Sequence, residues 1–309
     1  MPLYYLLYPL SLLPVGVGYF LTDIFVYPIL YYVARYRRKM VRKNLKDCFP
    51  GKPDEEISRI ERSYYHFLCD YFVETLHLIS MSEKEMRSRV KFSGLEMIDQ
   101  SIAQGRSVAV YLGHYCNWEW MASYPMSLGK GNTAECLQIY HPLENKRSDA
   151  LFLRIRQKFG SKCITMADTL RYLVRAGQQG RQTITGFIAD QVPIWEAIHH
   201  WMPFLNHEDT PVITGVEKIA KRLGMDIYYL DCDRPRRGHY TATLKRIAQA
   251  PYQMPDYEVT EQYIRMMEAT IMRRPELWLW SHNRWKRTKE EYAKRFDLNT
   301  GKKLPHPNL

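Results

Sequence analysis

The stretch Ser107-Val108-Ala109-Val110-Tyr111-Leu112-Gly113-His114-Tyr115-Cys116-Asn117-Trp118-Glu119 changes character halfway. Val108 to Leu112 is a short apolar run of β-formers and reads as a buried strand. Gly113 allows a tight backbone path, so His114 stands where the strand gives way to a turn, facing an open crevice. On one regular helix, His114 and Glu119 would point about 140° apart. They meet only if His114 precedes a helix whose first turns carry Glu119. In that strand-turn-helix, a carboxylate fixes the imidazole tautomer and stabilises the imidazolium that forms when histidine accepts a proton. The expected chemistry is a His114/Glu119 general-base dyad that activates a hydroxyl. Cys116 is a rival nucleophile, but nothing around it lowers a thiol pKa, and a buried spectator is expected.

Working outward, Ile57, Ile60, Tyr64, Phe67, Leu68, Tyr71 and Phe72 recur at the spacing of one face of a helix between Asp54 and Leu78. A short segment at Val90 to Phe92 precedes a helix from about Leu95 that stops at Gly105. A second strand, Gln182 to Ala189, ends on Asp190, and a loop with Trp195, His199, His200 and Trp201 follows to Pro203. Thr210-Pro211 is expected to open a helix that Gly224 closes. Ile227 to Leu230 and Tyr240 to Leu244 read as strands, and about Thr260 to Arg273 as the last helix. Strands alternating with helices predict an α/β fold, a sheet covered by helices with functional residues at strand ends.

The N-terminus predicts the setting. From Leu3 to Val33 the chain is almost continuously apolar, broken mainly by Asp23, Pro9, Pro14 and Pro28, and Arg35, Arg37, Arg38, Lys39, Arg42 and Lys43 follow. About 20 apolar residues cross a bilayer, and a basic flank stays cytoplasmic, which puts the rest of the chain in the cytoplasm. The prolines and Asp23 equally suit a broken segment lying in the interface. The expected division is residues 1–43 as a membrane anchor with a basic flank and 44–309 as one catalytic domain. The 309 residues carry 44 Lys plus Arg against 33 Asp plus Glu, a net charge of +11, which favours anionic partners. Six scattered cysteines without a CxxC pair suit a reducing compartment, and with no HExxH and with His199-His200 adjacent, no metal site is expected.

The landmarks His114 to Glu119, Tyr140-His141-Pro142-Leu143-Glu144-Asn145 with Asp149, Arg154-Ile155-Arg156, Phe159-Gly160, Ala189-Asp190-Gln191, Pro203-Phe204 and Ser281-His282-Asn283-Arg284-Trp285-Lys286 follow one another in order. Together they resemble the bacterial lipid A biosynthesis acyltransferases, within the glycerolipid acyltransferase superfamily. The resemblance implies a mixed, mainly parallel sheet flanked by helices. It also implies transfer of a fatty acyl chain from an acyl carrier protein thioester to a hydroxyl of a lipid A precursor, at the cytoplasmic face of the bacterial inner membrane. No cofactor is implied. His114 would be the base and Glu119 its orienting partner, and Asp168 falls where the family carries an important acid, although a helix-cap role suits it equally. His141, Arg154, Arg156 and Asp190 complete the expected substrate-binding set.

Two departures bear on the acceptor. The family's Tyr-Arg-Pro is Tyr140-His141-Pro142 here, which removes an arginine suited to phosphate or an oxyanion; Arg154 and Arg156 could supply the charge. The usual phenylalanine-glycine is Phe204-Leu205-Asn206. The first departure leaves open an acceptor that is a phospholipid, amino-acid lipid or glycolipid; from a different class, a noncatalytic membrane-tethered protein could engage anionic lipid or nucleic acid through its basic surface, and the tail Trp278–Arg287 has the composition for it.

Overall fold

The structure is a computed structural model describing residues 2–298 and 300–305; residues 306–309, the end of the expected catalytic unit, lie outside it. Seven strands build one sheet: β1 (Val90–Ser93), β2 (Val108–Leu112), β3 (Glu135–Tyr140), β4 (Lys162–Thr165), β5 (Thr183–Ile188), and, after the separate hairpin β6 (Trp201–Phe204) and β7 (His207–Pro211), β8 (Asp226–Arg236) and β9 (His239–Ala248). Their order is β1-β9-β8-β2-β5-β3-β4. Only β8 and β9 run antiparallel; the other neighbours are parallel. The expected mixed, mainly parallel sheet is thus present. Because β2 and β5 are adjacent and parallel, His114 and Asp190, each two residues past its strand, emerge side by side. Sheets of this kind hold their ligands at the carboxyl ends of the strands.

β2 is buried from Val108 to Tyr111, as its apolar run requires. β3 and β4 escaped sequence reading because Glu-Cys-Leu-Gln-Ile-Tyr and Lys-Cys-Ile-Thr are short and half polar. One expectation is overturned: Thr210-Pro211 does not open a helix. It ends β7, and the helix runs Gly215–Leu223, closed as expected by Gly224 at φ 60°. The hairpin is the reason. Phe204 pairs with His207 across Leu205 and Asn206, whose φ values of 48° and 63° make the left-handed turn that matches strand twist. The strand so returned runs through Thr210 to Pro211.

The helix Asp54–His77 buries Ile57, Ile60, Tyr64, Phe67 and Leu68, while Phe72 turns outward. Along it packs the N-terminal segment: a helix Pro2–Ser11, then a continuous helix from Val15 to Val33, long and apolar enough to cross a membrane. Wide π turns at Thr22–Val26 and Ile29–Val33 flank Pro28, consistent with a ring that supplies no N–H and crowds the preceding turn. One face is fastened to the domain. A Cβ on Gly18 would lie 2.5 Å from Val73 Cγ1, the Tyr19 hydroxyl donates to Glu74 at 2.6 Å, and Asp23 takes two bonds from Arg237 at 2.7 and 2.9 Å. The opposite face exposes Leu6, Leu12, Phe20, Phe25, Ile29 and Val33.

Glu74 is fully buried and also receives the Tyr240 hydroxyl at 2.6 Å and Asn117 Nδ2 at 2.8 Å. Losing one donor to a buried carboxylate costs about 1–3 kcal/mol. Tyr19→Phe is therefore expected to lower the denaturation midpoint in detergent solution; an unchanged midpoint would show that the apolar segment is not wired into the domain.

Candidate active site

Gly113 has ordinary backbone angles, and its value is space. A Cβ there would meet Met267 Cε at 2.5 Å and Asp190 Oδ2 at 3.2 Å. The side chain of His114, one-fifth exposed, faces outward, and its Nδ1 lies 2.7 Å from Asp190 Oδ1. Asp190 Oδ2 accepts from the His114 backbone N–H at 2.9 Å and from Trp278 Nε1 at 2.8 Å. A buried carboxylate with three N–H donors is satisfied, and it selects the tautomer in which Nδ1 carries the proton and Nε2 stays open as a base. Burial pushes the Asp190 carboxyl up, but the His114 charge and the hydrogen bonds from His114 and Trp278 outweigh it and hold it below the usual range.

The carboxylate bonded to the His114 ring is thus that of Asp190, in place of the expected Glu119. Among the described residues no hydrogen bond or ion pair joins Glu119 to His114. Glu119 is buried and held bidentately by Arg156, Nε to Oε2 at 2.7 Å and Nη2 to Oε1 at 2.5 Å, with the Tyr71 hydroxyl at 3.5 Å. Glu119 lies in the first turn of the short helix Trp118–Met121, as the strand-turn-helix reading required, and Asn117 caps that helix by accepting from Trp120 N–H. The left-handed Cys116, at φ 55°, bends the chain between strand and helix. That extra bend goes with the separation of the two carboxylates' partners. Cys116 is fully buried and burial pushes its thiol well above the ordinary range, which removes the rival nucleophile.

Of the expected substrate-binding residues, Asp190 and Arg156 belong to this centre and the others do not. His141 and Asp168 are exposed beyond β3 and β4. The His141 Nδ1 lies 3.0 Å from its neighbour's Pro142 O, and Asp168 accepts from Thr165 Oγ1 at 2.7 Å. Asp168 occupies the cap position of the helix Thr169–Gln178 without a side-chain capping bond. Arg154 points to the N-terminal helix, its guanidinium 3.7 Å above the Tyr4 ring. The tail Trp278–Arg287 is not a free surface, because Trp278, Trp280 and Arg284 are buried. Its residues instead back the site: Trp278 binds Asp190, while burial lowers the His282 pKa to about 4 and that of Arg284 to about 10. Trp278 is a contributor that the sequence reading missed: it stood in the aromatic-basic tail, and nothing local showed that its Nε1 reaches Asp190.

Beside the histidine, behind Trp118, lies an apolar cleft. Trp118, whose ring lies edge-on to His114 with centroids 5.1 Å apart, lines it together with Leu112, Ile188, Leu95, Ile98 and Leu244. The space is narrow, about 50 Å3. Gly186 on β5 lines the cleft and has no close neighbour that a Cβ would strike, its nearest contact being 3.7 Å.

Because its folded pKa is depressed, Asp190 contributes stability that is present above the ordinary carboxylate pKa of about 3.9 and lost as pH falls through its lowered value. Asp190→Asn should therefore flatten the acid limb of a denaturation-midpoint profile; an acid limb as steep as the native one would contradict that assignment.

Residues 5–287 match the family described as bacterial lipid A biosynthesis acyltransferase. The chain is 25% identical over 255 residues to a lipid A biosynthesis palmitoleoyltransferase of Escherichia coli, covering 81% of this chain and 79% of that protein. It is 21% identical over 311 residues to the lipid A biosynthesis lauroyltransferase of the same organism, covering 94% and 95%. A lipid A biosynthesis acyltransferase 2 of Shigella flexneri is 24% identical over 152 residues, and there the match spans only about half of each protein, 48% and 47%.

Proposed function

The chain belongs to the bacterial lipid A biosynthesis acyltransferase family, and from that premise we propose that it moves a fatty acyl chain from an acyl carrier protein thioester to a hydroxyl of a lipid A precursor. The observation that carries the reading is the His114–Asp190 hydrogen bond of 2.7 Å beside Trp118, which lines an apolar cleft. Nε2 of His114 takes the proton of the acceptor hydroxyl as its oxygen attacks the thioester carbonyl. The tetrahedral oxyanion collapses, the carbon–sulfur bond breaks, and the departing thiolate takes the proton back from the imidazolium that Asp190 stabilises. No covalent acyl-enzyme is needed. The acyl chain occupies the cleft, entering past Trp118 by displacing Met121 and the leucines, side chains that shift readily.

The exposed apolar face of Pro2–Val33 rests on the cytoplasmic side of the inner membrane in this reading. Asp23 is paired to Arg237 in the middle of the long apolar helix, which favours a segment lying in the interface over one that leaves the domain to span the bilayer. The net charge of +11 suits an acidic carrier protein arriving from the other side.

The test is turnover with acyl carrier protein thioesters and mixed lipid acceptors, together with mass spectrometry of lipids from a deletion strain. Loss of one acyl chain from lipid A is expected; an unchanged lipid A with a deficit in another acylated lipid would replace the acceptor, the alternative that His141 raises. Gly186→Leu, which fills the cleft, is expected to shift transfer toward shorter chains or stop it, read by competition between thioesters of different length. An unaltered length preference would place the chain elsewhere.

A further inference from the structure

Beneath the turn that joins His114 to the helix Trp118–Met121 sits a carboxylate that the transfer chemistry leaves unused. Glu74, on the helix Asp54–His77, is fully enclosed. Its Oε2 accepts from Asn117 Nδ2 at 2.8 Å and from the Tyr240 hydroxyl at 2.6 Å, its Oε1 from the Tyr19 hydroxyl at 2.6 Å, and its backbone carbonyl from Trp120 Nε1 at 3.2 Å. Asn117 is buried as completely, and its other end belongs to the turn itself, where Oδ1 accepts from the Trp120 N–H at 3.2 Å. The place of the turn is thus set by where Glu74 stands. Asn117 is flanked by the left-handed Cys116 and by Trp118, whose ring lies edge-on to His114. A left-handed residue other than glycine persists where its surroundings hold it, and Glu74 is part of that hold.

The other oxygen of Glu74 faces the apolar N-terminal helix. Tyr19 is buried, the Arg237 guanidinium lies 4.3 Å over its ring, and a Cβ on Gly238 would stand 2.5 Å from its hydroxyl, so that hydroxyl is tightly seated. The outer face of the same helix exposes Phe20, Ile24 and Phe25. One carboxylate therefore joins a lipid-facing helix to the turn beside the catalytic histidine. Without the Tyr19 donor, Oε1 becomes a buried acceptor with no hydrogen bond, and the carboxylate gains by rotating to share Asn117 and Tyr240 between its two oxygens. Asn117 and the turn move with it. On the acyl-transfer reading, on which this role depends, we propose that Glu74 is a positioning residue that sets Trp118 against His114 through Asn117. Tyr19 makes that setting depend on the seat of the N-terminal helix. Misplacement of reacting groups by about 1 Å can cost a hundredfold in rate, so a small shift of the turn is enough.

Turnover of the full-length protein on acyl carrier protein thioester and lipid acceptor, well below every denaturation midpoint, separates positioning from stability. Glu74→Leu, which gives Asn117 no acceptor, should lower kcat by about ten- to a hundredfold with KM nearly kept; Arg234 keeps its partner Asp70 in this variant. Tyr19→Phe should lower kcat by about three- to tenfold in the same pattern, and it decides alone if Glu74→Leu fails to fold. Glu74→Gln should stay within about twofold of wild type, because its amide oxygen still accepts from Asn117 and its NH2 can donate to the Tyr19 hydroxyl. With fluorotryptophan incorporated and the Trp118 signal assigned through Trp118→Phe, fluorine NMR should find that signal displaced in Tyr19→Phe and in place in Glu74→Gln. Native kcat in Tyr19→Phe and Glu74→Leu despite lowered midpoints, or a loss confined to KM, would make Glu74 a structural anchor and overturn the role. A lowered kcat with an unmoved Trp118 signal would overturn it too. If the signal moves as expected but wild type transfers no acyl group to any acceptor, the acyl-transfer reading falls while the link from Tyr19 to the turn stands.

Discussion

Asp190→Asn is expected to reduce kcat by about two to four orders of magnitude with little change in KM. Oδ2 of Asp190 accepts two N–H groups, from the His114 backbone and Trp278, and Oδ1 faces the imidazole. An asparagine has one acceptor oxygen, which those two fixed donors claim. Its NH2 must then face Nδ1, which turns the ring into the tautomer with the proton on Nε2 and removes the base from the cleft. The fold survives, since the substitution is isosteric. His114→Ala should be at least as inactive, while the double variant should be scarcely worse than either alone, because the two act as one unit. An Asp190→Asn enzyme with native kcat, assayed on acyl carrier protein thioester and lipid acceptor, would end the assignment.

Breaking the other carboxylate pair should be felt first as instability. Glu119 and Arg156 form a bidentate pair with the carboxylate almost fully buried and the guanidinium about four-fifths buried. Removing one partner of such a pair strands a buried charge and costs about 3–5 kcal/mol, whereas replacing both with apolar groups of similar volume is nearly neutral. Glu119→Leu and Arg156→Met should each lower the denaturation midpoint strongly, and their combination should recover most of it. Activity should fall with them, because Glu119 and Tyr71 brace the helix that carries Trp118; the Tyr71 and Trp118 rings stack at 4.3 Å. The loss of kcat in Glu119→Gln should stay far smaller than in Asp190→Asn. A loss as large as that of Asp190→Asn in protein that has kept its fold would show that Glu119 acts on the imidazole after all.

The contrast between these two carboxylates measures how far sequence reasoning reached. Val108 to Leu112 is a buried strand, Glu119 does fall in the first helical turn, and the face of Asp54–His77 is buried nearly as its periodicity required. Those features depend on neighbours in the chain, where apolar spacing and glycine speak directly. The partner of His114 depends on which strand lies beside β2. Seventy-six residues separate His114 from Asp190, and nothing local in either segment records that β2 and β5 are adjacent. The same blindness hid Trp278, and it made Thr210-Pro211 look like a helix start when a turn at two non-glycine residues sends it along a strand instead. Arg154 and Arg156, adjacent in one motif, could be sorted only once the helix carrying them was seen to turn one inward and the other toward the N-terminal segment.

By itself, then, the sequence determined an α/β domain behind an apolar, cation-flanked N-terminus, and a histidine at the end of a buried strand, because strand, turn and helix signals are short-ranged. Only the tertiary structure decided that Asp190 holds that histidine while Glu119 holds Arg156, since hydrogen-bond partners are chosen by strand order and backbone bend, which join residues that the chain keeps far apart.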